Sequence, residues 1–313
     1  MNEQEPGWER KFITKLAESS LREQKRARYW SIFFKLLTFA YLITLLVMFS
    51  ESDIPSNKLT SDHTALVELS GLIADGEKAS ADNIVSALRE AFEDKHTKGV
   101  ILRINSPGGT PVQAGYIYDE IIRLREKYPD TPLYAVISDM CASGGYYVAA
   151  AADKIYADKA SIVGSIGVRM DNFGFVEAMK KLGIERRTLT AGENKALLDP
   201  FAPVDESINK HMQGLLHSIH QQFIDAVKKG RGDRLKLDVS GLFSGLIWTG
   251  EQSLEIGLID ELASAGYVAR EVIGEEDIVD FTITDDFFDR LAKRVGATTA
   301  SLLFEKASQP YMH

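Results

Sequence analysis

Two side chains of this sequence have types that could act together in hydrolysis. Ser143 begins the run Ser-Gly-Gly-Tyr-Tyr, and Lys195 follows the run Gly-Glu-Asn. A serine hydroxyl becomes a good nucleophile when a neighbouring base removes its proton. A lysine amine can be that base where burial lowers its pKa from about 10.4 to about 7. The pair predicts a serine protease that uses lysine as its general base.

Other residues offer alternative roles in such a site. Cys141 could be the nucleophile, although a small thiol at this position is expected to be buried behind the site. Lys154 and Lys159 are the alternative bases, because they lie nearer to Ser143 along the chain. The sequence contains no H-E-x-x-H run and no P-loop, which disfavours a zinc metalloprotease and an ATPase. No metal and no cofactor is expected.

Four short motifs occur in order and carry a family resemblance. They are Asn105-Ser106-Pro107-Gly108-Gly109, Ala142-Ser143-Gly144-Gly145-Tyr146-Tyr147, Gly164-Ser165-Ile166-Gly167-Val168 and then Lys195. From about residue 60 to residue 270 the chain resembles the short, half-length form of the signal peptide peptidase A family, also called protease IV. In that family the serine of the Ser-Gly-Gly motif is the nucleophile and the later lysine is the general base. Ser143 and Lys195 occupy those positions.

The resemblance has implications for the fold and for assembly. It implies a ClpP/crotonase-like α/β fold with a largely parallel sheet. It also implies dome-shaped rings in which one subunit can contribute to the pocket of its neighbour, and we expect an octamer.

A tetrahedral oxyanion needs amide donors, and glycines allow the close approach of backbone that this requires. By resemblance, Gly108 or Gly109 supplies one donor, and the Gly144 N–H is the natural second. The alternative is that Gly108 and Gly109 only form a tight turn. Ser165 is expected to orient the Lys195 amine, the alternative being a loop hydroxyl that bonds to backbone.

The elements that must position these residues alternate between strand and helix. Apolar runs predict strands at residues 65–69, 100–104 and 133–137. Helical spacing is found for Ile84, Leu88 and Phe92 and again for Ile117, Ile121 and Leu124. This alternation predicts a parallel sheet covered by helices. A further helix is expected to begin close to Ser143, where its free amides would favour negative charge.

Two more helical segments are predicted towards the C-terminus. Residues 206–229 have apolar residues at spacings of three and four, which predicts a long helix packed on the sheet or on another subunit. His211, His217 and His220 lie on this helix, where solvent or an interface is their expected environment. Residues 287–304 contain a second set of apolar side chains that is typical of a helical element.

The N-terminal residues predict a membrane anchor. A basic cluster between Arg22 and Arg28 precedes an apolar run from Ile32 to Phe49. As a helix this run would be about 27 Å long, enough for a hydrocarbon core, with Lys35 reaching back towards the headgroups. Because acidic residues follow the run, the positive-inside rule places the N-terminus in the cytoplasm and the body in the periplasm. A cleaved signal peptide and a buried helix of a soluble protein are the alternatives.

These patterns divide the chain into five segments. They are a cytoplasmic segment (1–30), a transmembrane anchor (31–50), a polar linker (51–62), a protease domain (63–275) and a C-terminal segment (276–313). Hydrophobic residues make up 45% of the chain, as in a globular protein with a sizeable core. The net charge of −9 disfavours nucleic acid as a partner. The single cysteine excludes an intramolecular disulfide.

Together, the residues and the resemblance predict a serine endopeptidase anchored in a bacterial inner membrane. Hydrophobic peptides, such as signal peptides after their removal, are the expected substrates. Two other functions are considered. A crotonase-like acyl-CoA enzyme would use the same glycine amides and would bind CoA, and a catalytically silent membrane scaffold would not react at Ser143.

Overall fold

A computed structural model describes residues 7–50 and 61–283 of the chain. These residues belong to two compact units, one containing residues 7–50 and the other containing residues 61–283. The predicted helical element at residues 287–304 and most of the predicted linker at residues 51–62 lie outside the described residues.

The first unit contains one long helix, α1 (Trp8–Ser50). Its large apolar side chains are exposed, and the rings of Trp30, Phe33 and Phe34 contact one another at centroid distances of 5.6–5.7 Å. Within residues 7–50 and 61–283, no helix has the length and apolar character that crossing a membrane requires. The anchor predicted at residues 31–50 includes residues 46–50, whose side chains lie outside the described set, and it stays a prediction.

The second unit is an α/β domain. Its strands are β1 (His63–Ile73), β2 (Thr97–Gly109), β3 (Leu133–Ala142), β4 (Lys154–Ala157), β5 (Ile162–Gly164), β6 (Ile247–Thr249), β7 (Glu261–Leu262) and β8 (Ile278–Asp280). Its helices are α2 (Ala81–Glu93), α3 (Pro111–Lys127), α4 (Gly144–Ala149), α5 (Val176–Leu182), α6 (Glu206–Arg231), α7 (Gly250–Glu255) and α8 (Ala265–Tyr267). A 3-10 turn (Gly232–Arg234) follows α6, and a π-helical turn (Val268–Ile273) follows α8.

The strands form one sheet in the order β6-β5-β3-β2-β1-β8, with β4 paired to both β3 and β7. Every pairing described is parallel except that of β5 with β6. The prediction of an α/β fold with a largely parallel sheet is therefore confirmed. β8 pairs with β1, although the predicted boundary at residue 275 leaves it outside the domain.

β3 changes its partner partway along its length. Residues 134–137 pair with β4, and residues 140–142 pair with β5. The sheet therefore divides along β3, and the chain leaves this strand at Ser143, between β2 on one side and β5 on the other. Ser143 thus lies at the carboxyl end of a central parallel strand, where ligand sites of α/β proteins commonly form.

Alternation along the central strands explains why both faces of the sheet are covered. On β2, Val100, Leu102 and Ile104 belong to the larger apolar core, whereas Ile101 belongs to a smaller cluster on the opposite face. Successive side chains of a strand point to opposite faces, so a continuous apolar run needs two covering layers. The helix stripe of Ile84, Leu88 and Phe92 on α2 is buried, as predicted.

The long helix α6 is buried along only part of its length. Asp205 caps its start by accepting hydrogen bonds from the Ser207 and Ile208 amides. Its buried residues are confined to its C-terminal half, where they include Phe223 and Val227. At its end Arg231, with 1% of its side chain exposed, forms an ion pair of 2.7 Å with Asp260. The C-terminal half thus holds the helix on the domain.

Candidate active site at the ends of β2, β3 and β5

Ser143 occupies a strained turn between β3 and α4. Its backbone angles are φ 51° and ψ −123°, a conformation that costs a non-glycine residue about 1–3 kcal/mol. The Ser143 N–H donates to the Gly164 carbonyl at 2.9 Å, which holds the turn against β5. The hydroxyl makes no capping bond to α4, and the half-buried side chain faces a cavity. Strain of this kind concentrates at functional sites, where the surrounding structure maintains it.

The cavity at Ser143 has a volume of about 750 Å³. It brings together five of the six residues singled out from the sequence, namely Ser143, Gly108, Gly109, Gly144 and Ser165. Its apolar walls include Leu72, Ala114, Val168, Ile219 and Phe223. Such a cavity can hold an extended peptide segment with apolar side chains.

The glycine amides beside Ser143 are not equivalent. The Gly108 N–H already donates to the Ser106 hydroxyl at 3.0 Å. Gly144 is the first residue of α4, and the first amides of a helix have no partner within it. A Cβ added at Gly144 would lie 3.2 Å from the Gly109 nitrogen, so these two backbone segments adjoin. Gly109 and Gly144 are therefore better placed than Gly108 to hold an oxyanion.

Gly108 is required by close packing of backbone. Its φ of +99° favours glycine, and an added Cβ would lie 2.6 Å from the Gly144 nitrogen and 2.7 Å from the Ser143 Cβ. The end of β2 can therefore adjoin the start of α4 only if this residue has no side chain.

Ser165 lines the same cavity as Gly108 and Gly109. It follows β5 with a φ of 52°, and its N–H donates to the Leu246 carbonyl at 2.7 Å. Because the carbonyl of its neighbour Gly164 accepts a hydrogen bond from the Ser143 N–H, Ser165 is fixed next to the turn at Ser143. Its half-buried side chain lines the cavity together with Ser143.

Lys195 is not among the residues that line this cavity. It is exposed, in a turn where its N–H donates to the Gly192 carbonyl at 3.1 Å. Lys154 and Lys159 are exposed and also do not line the cavity. Arg169 is the only charged side chain among the described lining residues. The structure thus brings Ser143 and the predicted amide donors to one cavity but does not bring the predicted base to them.

The alternative nucleophile Cys141 is fully buried, and burial raises the pKa of its thiol. A thiol that is neutral and enclosed is a poor nucleophile, which leaves Ser143 as the candidate. Among residues 7–50 and 61–283, no group of three or more His, Cys, Asp or Glu side chains could hold a metal ion.

The sequence patterns did not predict that α6 lines the cavity at Ser143. Ile219 and Phe223 line it, and the Phe223 ring contacts Tyr147 at 5.1 Å between centroids. Their helical spacing indicated only that they pack against something. No local signal could show that their partner is the cavity itself, because α6 meets α4 from a distant part of the chain.

A family model and two named relatives indicate the same family of peptidases. The sequence profile of peptidase family S49 matches residues 125–278. A protein from Enterococcus faecium, provisionally named signal peptide peptidase SppA, is 31% identical over 247 residues, which are 74% of this chain and 71% of that protein. Protease 4 of Haemophilus influenzae is 34% identical over 204 residues, which are 64% of this chain and 32% of that protein.

A protein of Brucella abortus with a different name also matches. It is named Na(+)/H(+) antiporter NhaA and is 43% identical over 216 residues, which are 67% of this chain and 29% of that protein. The chain therefore spans less than a third of the length of that relative, whose name describes the whole of a longer protein.

Proposed function

Because this chain belongs to peptidase family S49, the signal peptide peptidase A family, we propose that it is a serine endopeptidase with a Ser143/Lys195 dyad. The observation that carries the proposal is the strained Ser143 turn, which faces a cavity beside Gly109 and Gly144. Family membership adds the expectation that the motif lysine is the base. The full function is our proposal, since it goes beyond what family membership alone establishes.

In the proposed reaction, the Ser143 Oγ attacks the peptide carbonyl carbon while its proton passes to Lys195 Nζ. The carbonyl oxygen becomes an oxyanion, which the amides of Gly109 and Gly144 stabilise. Lys195 then gives the proton to the leaving amine, and an acyl ester forms on Ser143. A water molecule attacks this ester while Lys195 accepts its proton. The bond between the Ser143 Oγ and the acyl carbon then breaks, Lys195 returns the proton to the Ser143 Oγ, and the peptide acid leaves.

The exposed position of Lys195 implies a second step of assembly. A lysine acts as a general base only where burial disfavours the charged form of its amine. We propose that contact between subunits of a ring, expected to be an octamer, buries Lys195 beside a Ser143. Large apolar side chains in the same stretch of chain, residues 169–205, are exposed and would be covered if such a contact included them, namely Phe173, Leu182 and Leu189.

The apolar walls of the cavity support hydrophobic peptides as substrates, with signal peptides after their removal as the proposed source. The proposed membrane anchor at residues 31–50 would tether the protease domain on the periplasmic side of a bacterial inner membrane. Tethering would raise the effective concentration of peptides released from that membrane.

The first test uses the full chain in detergent, treated with a peptidyl fluorophosphonate and analysed by mass spectrometry. An adduct on Ser143 is expected, absent in Ser143→Ala and strongly slowed in Lys195→Ala. Lys181→Ala is the matched control, because Lys181 is also exposed and outside the cavity. A folded, assembled chain that forms no adduct would favour the scaffold, and a thermal shift with acyl-CoA would then favour the acyl-CoA enzyme.

A second test asks which subunit supplies the base. Ser143→Ala and Lys195→Ala chains are each expected to be inactive, and they can be mixed under conditions that exchange subunits. If Lys195 acts on the Ser143 of a neighbouring subunit, mixed assemblies regain part of the peptidase activity. If both residues act within one chain, no mixture regains activity, and the proposed composite site is wrong.

A further inference from the structure

The pairing of β2 with its neighbours is irregular immediately before Gly108 and Gly109, the end of β2 that we call the glycine loop. Between β1 and β2, Ser70 pairs with Asn105 and Leu72 pairs with Gly108, so Gly71 alone faces two residues of β2. The pairing of β2 with β3 also has a register shift, between Ile104 and Ser106. One of the two residues facing Gly71 is Pro107, which has no N–H to donate. The glycine loop therefore begins where the ordinary hydrogen bonds of the sheet are interrupted on both sides.

The Ser106 hydroxyl bridges this interruption. It donates to the Gly71 carbonyl at 2.6 Å and accepts the Gly108 N–H at 3.0 Å. The side chain is completely buried, with a relative exposure of 0%. One hydroxyl thus joins the end of β1 to the loop that carries Gly108 and Gly109.

Ser106 also lies directly behind the start of α4. A Cβ added at Gly145 would lie 3.2 Å from the Ser106 carbonyl oxygen and 3.4 Å from its Cβ. A Cβ added at Gly108, in turn, would lie 2.6 Å from the Gly144 nitrogen and 2.7 Å from the Ser143 Cβ. Any shift of Ser106 or of the loop that it holds is therefore transmitted to the two segments that carry the proposed oxyanion donors.

We propose that Ser106 is a positioning residue that sets the distance between the Gly109 and Gly144 amides. The inference rests on the proposed function, because it assigns Ser106 a role in stabilising the oxyanion of that reaction. Ser106 does not touch the substrate, since its hydroxyl is enclosed between Gly71 and Gly108. Its effect is expected in the transition state, where the oxyanion forms, rather than in substrate binding.

Another buried serine gives a matched control. The Ser161 hydroxyl donates to the Ser138 carbonyl at 2.6 Å and accepts the Asp158 N–H at 3.1 Å, and Ser161 is 3% exposed. It repeats the bonding of Ser106 but does not line the cavity at Ser143. Ser161→Ala therefore removes an equivalent pair of hydrogen bonds at a position away from the proposed oxyanion donors.

The experiment measures kcat, KM and the affinity of a peptide boronic acid for the full chain and its variants. The boronic acid forms a tetrahedral adduct on serine and so reports on the oxyanion site. For Ser106→Ala we expect kcat to fall by about 10- to 100-fold, as for a misplacement of about 1 Å, with KM within about threefold. Boronate affinity is expected to fall in parallel, whereas Ser161→Ala keeps kcat within about threefold. Ser106→Thr, which keeps the hydroxyl, is expected to recover most of kcat.

Several outcomes would overturn the inference. Unchanged kcat in a folded Ser106→Ala chain would do so, as would an equal loss in Ser161→Ala, which would indicate general destabilisation. If Ser106→Ala does not fold, Ser106→Cys replaces it, and a normal kcat for this weak hydrogen-bonding side chain would count against the inference. A wild-type chain that neither hydrolyses peptides nor reacts at Ser143 would overturn the proposed function and this inference together.

Discussion

The end of the sheet around Ser143 and the segment that carries Lys195 are built in opposite ways. Around Ser143, buried strands, strained backbone and short hydrogen bonds hold each residue in one position. The segment at residues 169–205, which we call the base segment, contains α5, none of whose residues is buried, and an exposed Lys195. Both regions carry motifs of the same proposed reaction.

This difference indicates which part of the chemistry a single subunit can prepare. Amide donors and a nucleophile need fixed geometry, which a buried sheet end provides. A lysine base needs removal from water, which the described part of the chain does not provide for Lys195. The base segment would acquire its function only when another surface covers it.

The largest expected effect is a loss of activity, without a loss of stability, when Lys195 is replaced. Lys195→Ala is expected to lower kcat/KM by about 10³-fold or more, as for loss of a general base that activates a nucleophile. Because the side chain is exposed, the melting temperature of the unassembled chain should stay the same. Lys181→Ala, another change in the base segment, should be neutral in peptide hydrolysis. An active Lys195→Ala chain would show that the general base does not lie in the base segment.

Glycine substitutions should lower stability much more at the end of the sheet around Ser143 than in the base segment. A Cβ at Gly109 would lie 1.9 Å from the Ile73 carbonyl oxygen, whereas a Cβ at Gly174 in the base segment meets nothing within 4 Å. Gly109→Ala is expected to lower the free energy of unfolding by about 4 kcal/mol, because backbone must move. Gly174→Ala should change it by less than about 0.5 kcal/mol. Denaturant unfolding checks both values, and equal effects would contradict the contrast.

Ion pairs offer a third comparison. Arg231 is buried and bonds to Asp260 and to the Gly257 carbonyl, whereas Arg187 in the base segment pairs with Glu185 in solvent. Arg231→Met is expected to destabilise the fold by about 3 kcal/mol, because it leaves Asp260 partly buried without this partner. Arg187→Met should have an effect of less than about 1 kcal/mol. A comparable loss in the two variants by thermal unfolding would refute this assignment.

The smallest effect concerns pH. Hydrogen bonding from Arg123, with a further bond from Arg89, lowers the pKa of Glu120 from 4.5 to about 2 despite partial burial. Because the pKa is lowered in the folded state, the stabilisation is complete above pH 4.5 and is lost as the pH falls towards 2. Glu120→Gln should reduce the slope of unfolding free energy against pH in this window. An unchanged slope would show that Glu120 does not contribute.

Some of this architecture could be predicted from local sequence. Apolar runs such as residues 100–104 can be buried only in a sheet covered on both faces, and the helix spacing of Ile84, Leu88 and Phe92 requires a buried stripe. The turn chemistry of Pro107, Gly108 and Gly109 likewise predicted a close backbone approach. These properties depend on neighbouring residues, which the sequence shows directly.

Other features depend on contacts between distant residues. The sequence motifs predicted the same role for Gly108 and Gly109, yet in the fold the Gly108 N–H donates a hydrogen bond to the Ser106 hydroxyl. The apolar stripe of α6 gave no indication that Ile219 and Phe223 line the cavity of Ser143. In each case the deciding contact joins parts of the chain that are far apart in sequence.

The sequence by itself determined which residues could react, because nucleophile, base and glycine loops are recognisable by type and spacing. Only the tertiary structure decided which of them meet. It places Ser143 with Gly109, Gly144 and Ser165 where the sheet divides along β3, and it leaves Lys195 in solvent. The reason is physical: reactivity requires distances of a few ångströms and a low local dielectric, and both are created by packing rather than by residue identity.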